Sequence, residues 1–374
     1  MPEINQQPTP AGRQPRGAVL VNGVSVPFIH FEVDSNNSFE ADTFAVDFPA
    51  LALPPSLSAS SLMDGQDLTV EVRAGFPLDP ASWSPTDLDS LIVGRVDDVS
   101  FDPLTGVFSL HGRDLTGLFI DRKTTEKWQN MTASQIATML ATRVGLKPVV
   151  TPTTTKAGTY YTVDHARMTI EMSEWALLCY LAAQEGFTVY VKGRELHFEP
   201  KPDTSSTDSP YLLQWNAGAS GPASFNGMSL QLKRNLTVAR NVTVVVRSFQ
   251  PKTKKVIVAS YPNPHASKGA RPGTSGANQP ESHVRTIPNL TKEQALQRAE
   301  AIHREITTHE MSIVADLPGD SLLTPFVMVA LRGTGTPFDQ FYYPENVKRT
   351  MDRDEGYRMS LTAKNRAPEN DPTL

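Results

Sequence analysis

Apolar and polar residues alternate along much of this chain with a period of two, which is typical of β-strands. The clearest alternation covers residues 91–99. It is followed by the turn sequence Asp102-Pro-Leu-Thr-Gly106 and by a second alternating run over residues 107–112. Proline restricts φ in such a turn, and glycine accepts a positive φ without a steric clash. The pattern predicts a β-hairpin that closes one β-rich region, after which residues 115–120 lead into a different kind of structure.

Similar alternation predicts strands on both sides of the middle of the chain. The predicted strands are residues 24–32, 43–48 and 68–73 in the N-terminal region, and residues 211–215, 228–233, 241–249, 255–261, 311–316, 326–332, 345–351 and 357–364 in the C-terminal region. Between the early strands, residues 54–64 predict a short helix and residues 74–90 a surface loop. Short strands separated by turns predict a barrel or a sandwich. The two β-rich regions have no obvious sequence repeat, yet they are candidates for two copies of one architecture.

Three segments have the period of helices instead. Residues 131–145 and 291–308 each begin with a capping box, Thr132-Ala-Ser-Gln135 and Thr291-Lys-Glu-Gln294, in which the Thr and Gln side chains bind free N–H groups. Residues 173–184 form the third helix, with Ser173 as N-cap and Gly186 at its end. A predicted hairpin over residues 187–199 follows at once. The middle of the chain is therefore predicted to be a compact α+β unit.

Four polar segments are predicted to be irregular. Residues 1–17 lack the apolar stretch of a signal peptide and predict a disordered arm. Residues 201–210 predict a linker, and residues 262–282, rich in Gly, Pro, Ser and Asn, predict a long mobile loop whose role stays open. The chain is predicted to end in a short tail.

Composition limits the classes of function. The 374 residues suffice for two to four domains, and 39% hydrophobic with 20% charged residues fits a soluble globular protein. A net charge of −5 argues against a general affinity for nucleic-acid backbones. The single cysteine, Cys179, lies in an apolar run, which favours a buried side chain over a nucleophile and excludes a disulfide within the chain. We find no apolar run of roughly 18 residues, the length that spans a bilayer.

The search for catalytic motifs is mostly negative. The sequence has no Gly-x-Ser-x-Gly, no P-loop, no dinucleotide-binding glycine motif after a strand and no His-Glu-x-x-His. His303 and His309 are six residues apart, which favours solvated histidines over a metal site. Asp97 and Asp98 are neighbours on a strand and point to opposite faces, which favours solvated charges over an acid–base pair.

Two further segments are candidates for phosphate contacts. Gly333-Thr-Gly335 follows a predicted strand without a helix after it, which favours a turn over a phosphate-binding loop. The lysines at positions 252, 254 and 255 form a basic hairpin tip, which favours a solubilising turn over a phosphate contact. The sequence thus predicts no catalytic, cofactor-binding or metal-binding residues, no cofactor and no enzymatic activity.

Three blocks of sequence carry a family resemblance. The first is Gly112-Arg-Asp-Leu-Thr-Gly-Leu-Phe-Ile-Asp-Arg122 with residues 130–137, and the second is residues 173–187 with the hairpin at 189–198. The third combines residues 293–299, Leu317-Pro-Gly-Asp320, Phe338-Asp-Gln340 and residues 343–348. In order and spacing they resemble the baseplate hub proteins of contractile phage tails, the late control protein D family and its Mu-like relatives. These proteins are also similar to the N-terminal part of type VI secretion spike proteins.

The resemblance implies a fold class. It is an α+β, mostly β chain with two β-barrel domains and a mixed α/β insert, assembled as a trimeric ring with pseudo-sixfold symmetry. The implied segments are the arm (1–17), the first β-barrel domain (18–115), the mixed domain (116–205), the second β-barrel domain (206–239 plus 310–366), an insertion with a hairpin, mobile loop and helix (240–309), and the tail (367–374).

The resemblance also implies a function. The chain is expected to be a structural baseplate hub, a homotrimer that joins the sixfold tail tube, or a tube-like adaptor, to the threefold central spike. Contacts with baseplate wedge or tape-measure proteins are expected as well. DNA would pass through the lumen without specific binding. The expected location is the tail-tip baseplate of the virion, assembled in the bacterial cytoplasm without membrane insertion. The alternatives are a tail-associated cell-wall hydrolase and the hub of a tailocin or secretion-system spike.

Overall fold

The computed structural model describes residues 14–37, 40–65, 67–124, 126, 128, 130–154, 172–200, 210–218, 223–234, 243–250, 255–261, 282–287, 290–308 and 311–365. Most of these residues lie in β-strands, and a few helices lie between them.

The strands before the first long helix are β1 (Arg16–Val21), β2 (Val24–Val26), β3 (His30–Asn36), β4 (Thr43–Pro49), β5 (Thr69–Gly75), β6 (Asp89–Asp102), β7 (Val107–Asp114) and β8 (Lys123–Thr124). The strands of the middle are β9 (Lys147–Val150), β10 (Met172–Ser173), β11 (Phe187–Lys192) and β12 (Glu195–Pro200). The remaining strands are β13 (Tyr211–Asn216), β14 (Ser224–Phe225), β15 (Ser229–Arg234), β16 (Thr243–Gln250), β17 (Lys255–Tyr261), β18 (Ser282–Thr286), β19 (Met311–Pro318), β20 (Val329–Arg332), β21 (Phe341–Asp352) and β22 (Gly356–Lys364).

The α-helices are α1 (Ala59–Asp64), α2 (Gly117–Ile120), α3 (Ala133–Arg143), α4 (Glu174–Glu185) and α5 (Lys292–Thr308), and short 3-10 turns cover Ala50–Ala52 and Pro85–Asp87. The predicted capping boxes at the starts of α3 and α5 are confirmed, since Thr132 exchanges hydrogen bonds with Gln135 and Thr291 does so with Gln294. Gly186 ends α4 in the left-handed conformation, as predicted.

Strands β1 to β7 form what we call the first β unit. Their order is β3-β4-β7-β6-β5-β1-β2, and every neighbouring pair is antiparallel. Alternate side chains of these strands point inward, because successive residues of a strand face opposite sides. They form one apolar core centred on Phe31, Phe48, Phe108 and Leu110, all fully buried.

Strands β13, β14, β15 and β19 to β22 form the second β unit. From β15 the order is β15-β19-β22-β21-β20-β13-β14. Its neighbours are antiparallel except for β13 and β20, which are parallel. Its apolar core is separate from the first and contains the buried side chains of Leu213, Ile313, Tyr342, Val347 and Leu361.

The two units repeat one order of pairing. In the first unit the series is β3-β4-β7-β6-β5, and in the second it is β15-β19-β22-β21-β20, with the strands in the same order along the chain. Each series continues into a two-stranded hairpin, β1–β2 or β13–β14. The hairpins differ, because β1 is antiparallel to β5 whereas β13 is parallel to β20.

One antiparallel pairing joins the two units. Strand β21 pairs with β3 from Asn346 opposite Asn36 to Asp352 opposite His30. Both units therefore belong to a single sheet of 14 described strands, which branches at β21 because this strand pairs with β20, β22 and β3.

Two smaller packed groups interrupt this sheet along the chain. In the first, α2, α3 and α4 pack with the sheet β11-β12-β9 around a core that includes Phe119, Trp175 and Phe198. In the second, α5 packs on the sheet β17-β16-β18 through Ala295 and Ala299.

The structure corrects several predicted boundaries. Strand β1 begins at Arg16, inside the segment predicted as an arm, because residues 16–21 pair with β5 and residues 19–21 also pair with β2. Strand β21 begins at Phe341 and β20 at Val329, rather than at residues 345 and 326. Residues 1–13, 201–209, 262–281 and 366–374 lie outside the described residues.

Candidate assembly surface

The hairpin of β6 and β7 carries a charged cluster built on a β-bulge. The pairing register of these strands shifts between Val96 and Asp98, so Asp97 is the extra residue of a bulge. Its carboxylate accepts two hydrogen bonds from the Arg113 guanidinium, at 2.7 and 2.9 Å. Arg113 also donates to both carboxylate oxygens of Asp121, at 3.1 and 2.9 Å. Two carboxylates therefore hold one guanidinium, which raises the pKa of Arg113 and fixes the end of β7 against α2.

The second β unit also has a β-bulge with an acidic residue that pairs with a basic residue, at the equivalent position of its strands. Strands β21 and β22 shift between Pro344 and Asn346, so Glu345 is the extra residue, and its carboxylate lies 2.5 Å from the Lys364 ammonium. Arg113 follows the residue paired with Val96, and Lys364 follows the residue paired with Pro344. Each unit therefore places an acidic bulge residue against a basic residue at the end of the next strand.

Polar contacts reinforce the junction of β3 and β21. The Lys348 ammonium lies 2.7 Å from the Glu32 carboxylate, and the Asn346 amide donates to Asp34 and to Asn36. Beyond the strands, the Asn37 amide donates to the Pro344 carbonyl at 2.9 Å. These bonds fix the register of the two units, because a slip by one residue would break all of them.

The segment Leu317-Pro-Gly-Asp320, part of the family resemblance, organises a buried network beside the junction. The Arg349 side chain is 3% exposed and donates to the backbone carbonyls of Asp320 and Leu323. The Tyr357 hydroxyl also donates to the Asp320 carbonyl, at 3.1 Å, and the Tyr211 hydroxyl donates to the Asp320 carboxylate at 2.7 Å. This motif therefore has a structural role, since it satisfies a buried guanidinium.

Two carboxyl groups near the junction are shifted toward the neutral form. Burial raises the pKa of Asp114 to about 8, and the nearby charge of Asp42 adds to the shift. Burial also raises the pKa of Asp42 to about 7, and the charge of Asp34 adds to it. The Asp114 carboxyl accepts hydrogen bonds from the Thr116 hydroxyl and N–H.

The side chains considered as catalytic candidates have other surroundings. Asp97 binds Arg113. The alternation of apolar and polar residues did not predict this contact, because a β-bulge leaves no mark in that pattern. Burial raises the pKa of the Cys179 thiol, which opposes thiolate formation. His303 lies edge-on to the Tyr261 ring, with the ring centres 5.1 Å apart, and His309 lies outside the described residues.

The segment Gly333-Thr-Gly335 is a turn, as predicted. The Asp339 carboxylate accepts hydrogen bonds from the N–H groups of Thr334 and Gly335 and from the Thr334 hydroxyl. These N–H groups are therefore already bound by a carboxylate. At the predicted basic hairpin tip, Lys252 and Lys254 and the side chain of Lys255 lie outside what the structure describes.

The described part of the chain contains no group of three or more His, Cys, Asp or Glu side chains arranged to hold a metal ion. In the same residues, none of the helices combines the length and the apolar character needed to cross a bilayer.

Comparison with known proteins gives matches among solved structures. No protein-family profile and no curated protein sequence matches this chain. The crystal structure of the tail protein from Neisseria meningitidis MC58 matches with a TM-score of 0.66 and 16% identity, over 96% of this chain and 99% of that one. The 43 kDa tail protein of prophage MuSo2 from Shewanella oneidensis matches with a TM-score of 0.63 and 14% identity, over 96% and 99% of the two chains.

A structure of the Francisella PdpA–VgrG complex also matches. The TM-score is 0.52 and the identity 10%, over 94% of this chain and 53% of that one. At such identities the likeness concerns the fold. It confirms the resemblance read from the sequence: this chain has the fold of phage tail proteins.

Proposed function

We propose that this chain is a structural baseplate hub of a contractile phage tail, a homotrimer in which each subunit supplies two β-barrel domains. The observation that carries the proposal is the repeat of one strand order in two β units on one continuous sheet. Three such chains would form a ring of six similar units. That ring would match a sixfold tail tube on one side and a threefold central spike on the other.

The strand connections support barrel closure in both units. In the first unit only three residues separate β2, which pairs with β1, from β3, which pairs with β4. In the second unit only three residues separate β14, which pairs with β13, from β15, which pairs with β19. In each unit a single short stretch of chain therefore connects the two ends of the strand path, as the closing corner of a small barrel requires.

The proposed mechanism is geometric. Strand edges and loops would present backbone and side chains for stacking on the tube and for attachment of the spike, with wedge or tape-measure proteins as further neighbours. A chain with a net charge of −5 would line a DNA conduit without binding the DNA tightly. In the virion the protein would lie at the tail tip, after assembly in the cytoplasm of the host.

The likeness to a chain of the Francisella PdpA–VgrG complex supports a second candidate, the hub of a tailocin or secretion-system spike. The TM-scores of 0.66 and 0.63 against two tail proteins, compared with 0.52, favour the phage tail.

Two experiments test the proposal. Native mass spectrometry of the full chain, mixed with the tube and spike proteins of the same tail, should show three copies, about 123 kDa for chains of 41.0 kDa each. A different copy number in that mixture would contradict the proposed ring. A peptidoglycan-digestion assay on the purified protein should show no turnover, and measurable turnover would favour the cell-wall hydrolase instead.

A further inference from the structure

We infer a specific contact surface between two copies of this chain. The outer half of β6 (residues 97–102) in one subunit pairs antiparallel with β15 (Ser229–Arg234) of the next subunit, as β21 pairs with β3 inside one subunit. The inference rests on the proposed ring and adds its interface. It follows from the internal repeat, since a contact that joins the first unit to the second within a chain can be repeated between chains.

The repeat assigns an equivalent to every residue of the internal junction. Strand β3 pairs with β4 as β15 pairs with β19, and β21 pairs with β22 as β6 pairs with β7. The bulge residues Asp97 and Glu345 fix the alignment of β6 with β21. Thr43 and Ser312, opposite Arg113 and Lys364, fix the alignment of β4 with β19 and hence of β3 with β15. The equivalents of β21 and β3 are therefore β6 and β15.

Among the residues that the structure describes, both equivalent strands have an edge without a strand partner. The pairing of β6 with β5 ends at Arg95, and in the described residues the outer half pairs with β7 alone. Strand β15 likewise pairs with β19 alone within the same residues. Unpaired strand edges of this kind are templates for pairing with another chain.

Side chains on the two unpaired edges are more exposed than the equivalent side chains at the internal junction of β3 and β21. Phe101 is 39% exposed, whereas its equivalent in β21, Arg349, is 3% exposed. In β3, Phe31 and Val33 are fully buried, whereas their equivalents Leu230 and Leu232 are partly exposed. An apolar side chain on each edge thus lacks the cover that its equivalent has.

The transferred register brings complementary groups together. Arg349 is opposite Val33 inside the chain, so Phe101 would lie opposite Leu232 of the next copy. Lys348 is opposite Asp34, so Ser100 would lie opposite Lys233. Lys233 would then have Asp98 and Asp102 as its two diagonal neighbours, within reach of a long side chain. Asp102 already accepts hydrogen bonds from Leu104 and Thr105 in the turn, which holds its carboxylate in place.

The contact uses different strands on the two subunits, so it is head-to-tail. Contacts of this type close into a ring when the rotation between subunits divides a full turn. The β21–β3 pairing relates the second β unit to the first unit of the same chain. The β6–β15 pairing would relate the first unit to the second unit of the next chain by the same rotation.

A cysteine cross-link tests the register. Phe101→Cys and Leu232→Cys would place two thiols on directly opposite residues of paired strands, a separation that a disulfide can bridge. Tail particles assembled from the double variant and oxidised should give cross-linked dimers and trimers on a non-reducing gel. Each single variant should give none, and Phe101→Cys with Lys233→Cys should give far less, because Lys233 faces the other side of the strand.

A charge swap tests the same surface without relying on oxidation. Lys233→Glu should weaken association of the subunits about tenfold, because two attractive contacts become repulsive. Adding Asp98→Lys should restore about half of the lost binding free energy, because the glutamate at position 233 would then attract the lysine at position 98 while still repelling Asp102. Lys192→Glu, on the hairpin of the mixed region, should leave association unchanged. No rescue by Asp98→Lys would overturn the register.

The outcomes separate this inference from the proposed function. Three copies per particle with no Phe101–Leu232 cross-link would overturn the strand pairing and leave the ring intact. A copy number other than three would remove both.

Discussion

Asp97 and Glu345 occupy the same place in two copies of one strand arrangement. Each is the extra residue of a β-bulge, and each forms an ion pair with a basic residue at the end of the next strand. The two units have different sequences, so this agreement lies in pairing register and charge. A duplicated arrangement within one chain is what the proposed hub requires, because it allows three subunits to present six similar surfaces.

The Asp97–Arg113–Asp121 cluster should contribute modestly to stability. Arg113→Met should lower the free energy of unfolding by about 1 kcal/mol, since partly exposed ion pairs are worth little even when bidentate. The matched control is Arg353→Met, at an exposed position in the turn between β21 and β22, which should change it by less than about 0.5 kcal/mol. Urea denaturation followed by circular dichroism measures both. Equal losses would show that the cluster has no special role.

Gly112 should tolerate no side chain. A Cβ there would lie 2.0 Å from the Arg95 carbonyl oxygen and 2.6 Å from the Phe44 ring. Gly112→Ala should therefore destabilise the protein by roughly 3 kcal/mol or more, because backbone must move to relieve the clash. Gly106→Ala, in the turn of the same hairpin, meets nothing within 4 Å and has a φ of +69°. It should cost only about 1 kcal/mol for the positive φ. Thermal unfolding of the two variants measures the difference. A similar Tm for both would contradict the close packing of Gly112 against Arg95 and Phe44.

Arg349 should be far more important to stability than its neighbour Lys348. Arg349→Met removes the buried donor of the Leu323 carbonyl and leaves the Asp320 carbonyl only the Tyr357 hydroxyl, at a cost of about 2–4 kcal/mol. Lys348→Met removes only the partly exposed pair with Glu32 and should cost less than about 1 kcal/mol. Chemical denaturation of each variant provides the comparison. A larger loss for Lys348→Met would show that the buried network is not the dominant contact at the junction.

The contribution of Asp114 and Asp42 to stability should fall as the pH rises from about 4 to 8. The pKa values of Asp114 and Asp42, about 8 and about 7 in the folded chain, lie above that of an unfolded aspartate. At these two carboxyl groups the folded state therefore binds more protons than the unfolded state in this range. The stabilisation is complete below the unfolded pKa and is lost as the pH passes the folded values.

The variant Asp114→Asn checks this dependence. It should flatten the decline of the unfolding free energy between pH 5 and pH 8, because the buried amide does not titrate. Asp354→Asn, at an exposed position in the β21–β22 turn, should leave the decline as it is. Urea denaturation at four pH values measures the slope. An unchanged slope in Asp114→Asn would contradict the assignment.

Local features of the fold could be predicted because their signals are local. The boxes at Thr132 and Thr291 and the left-handed Gly186 each depend on residues within one turn of a helix. The hairpin of β11 and β12 needs only alternation and a glycine turn.

The arrangement of the assembly surface could not be predicted in the same way. The pairing of β3 with β21 joins residues more than 300 positions apart, and alternation does not specify a partner strand. The bulges at Asp97 and Glu345 leave no mark in the period of two. Arg349 lies between Val347 and Met351 on one face of its strand, and the sequence does not indicate that its guanidinium donates to two backbone carbonyls.

Electron cryo-microscopy of an assembled tail tip that contains this chain would show whether three copies form a ring of six β units. We expect a ring of density around the tail axis with six similar β units, contributed by three copies of the chain and enclosing an open channel. A reconstruction in which the chain lies away from the axis, or in which each copy contributes a single unit to the ring, would contradict it.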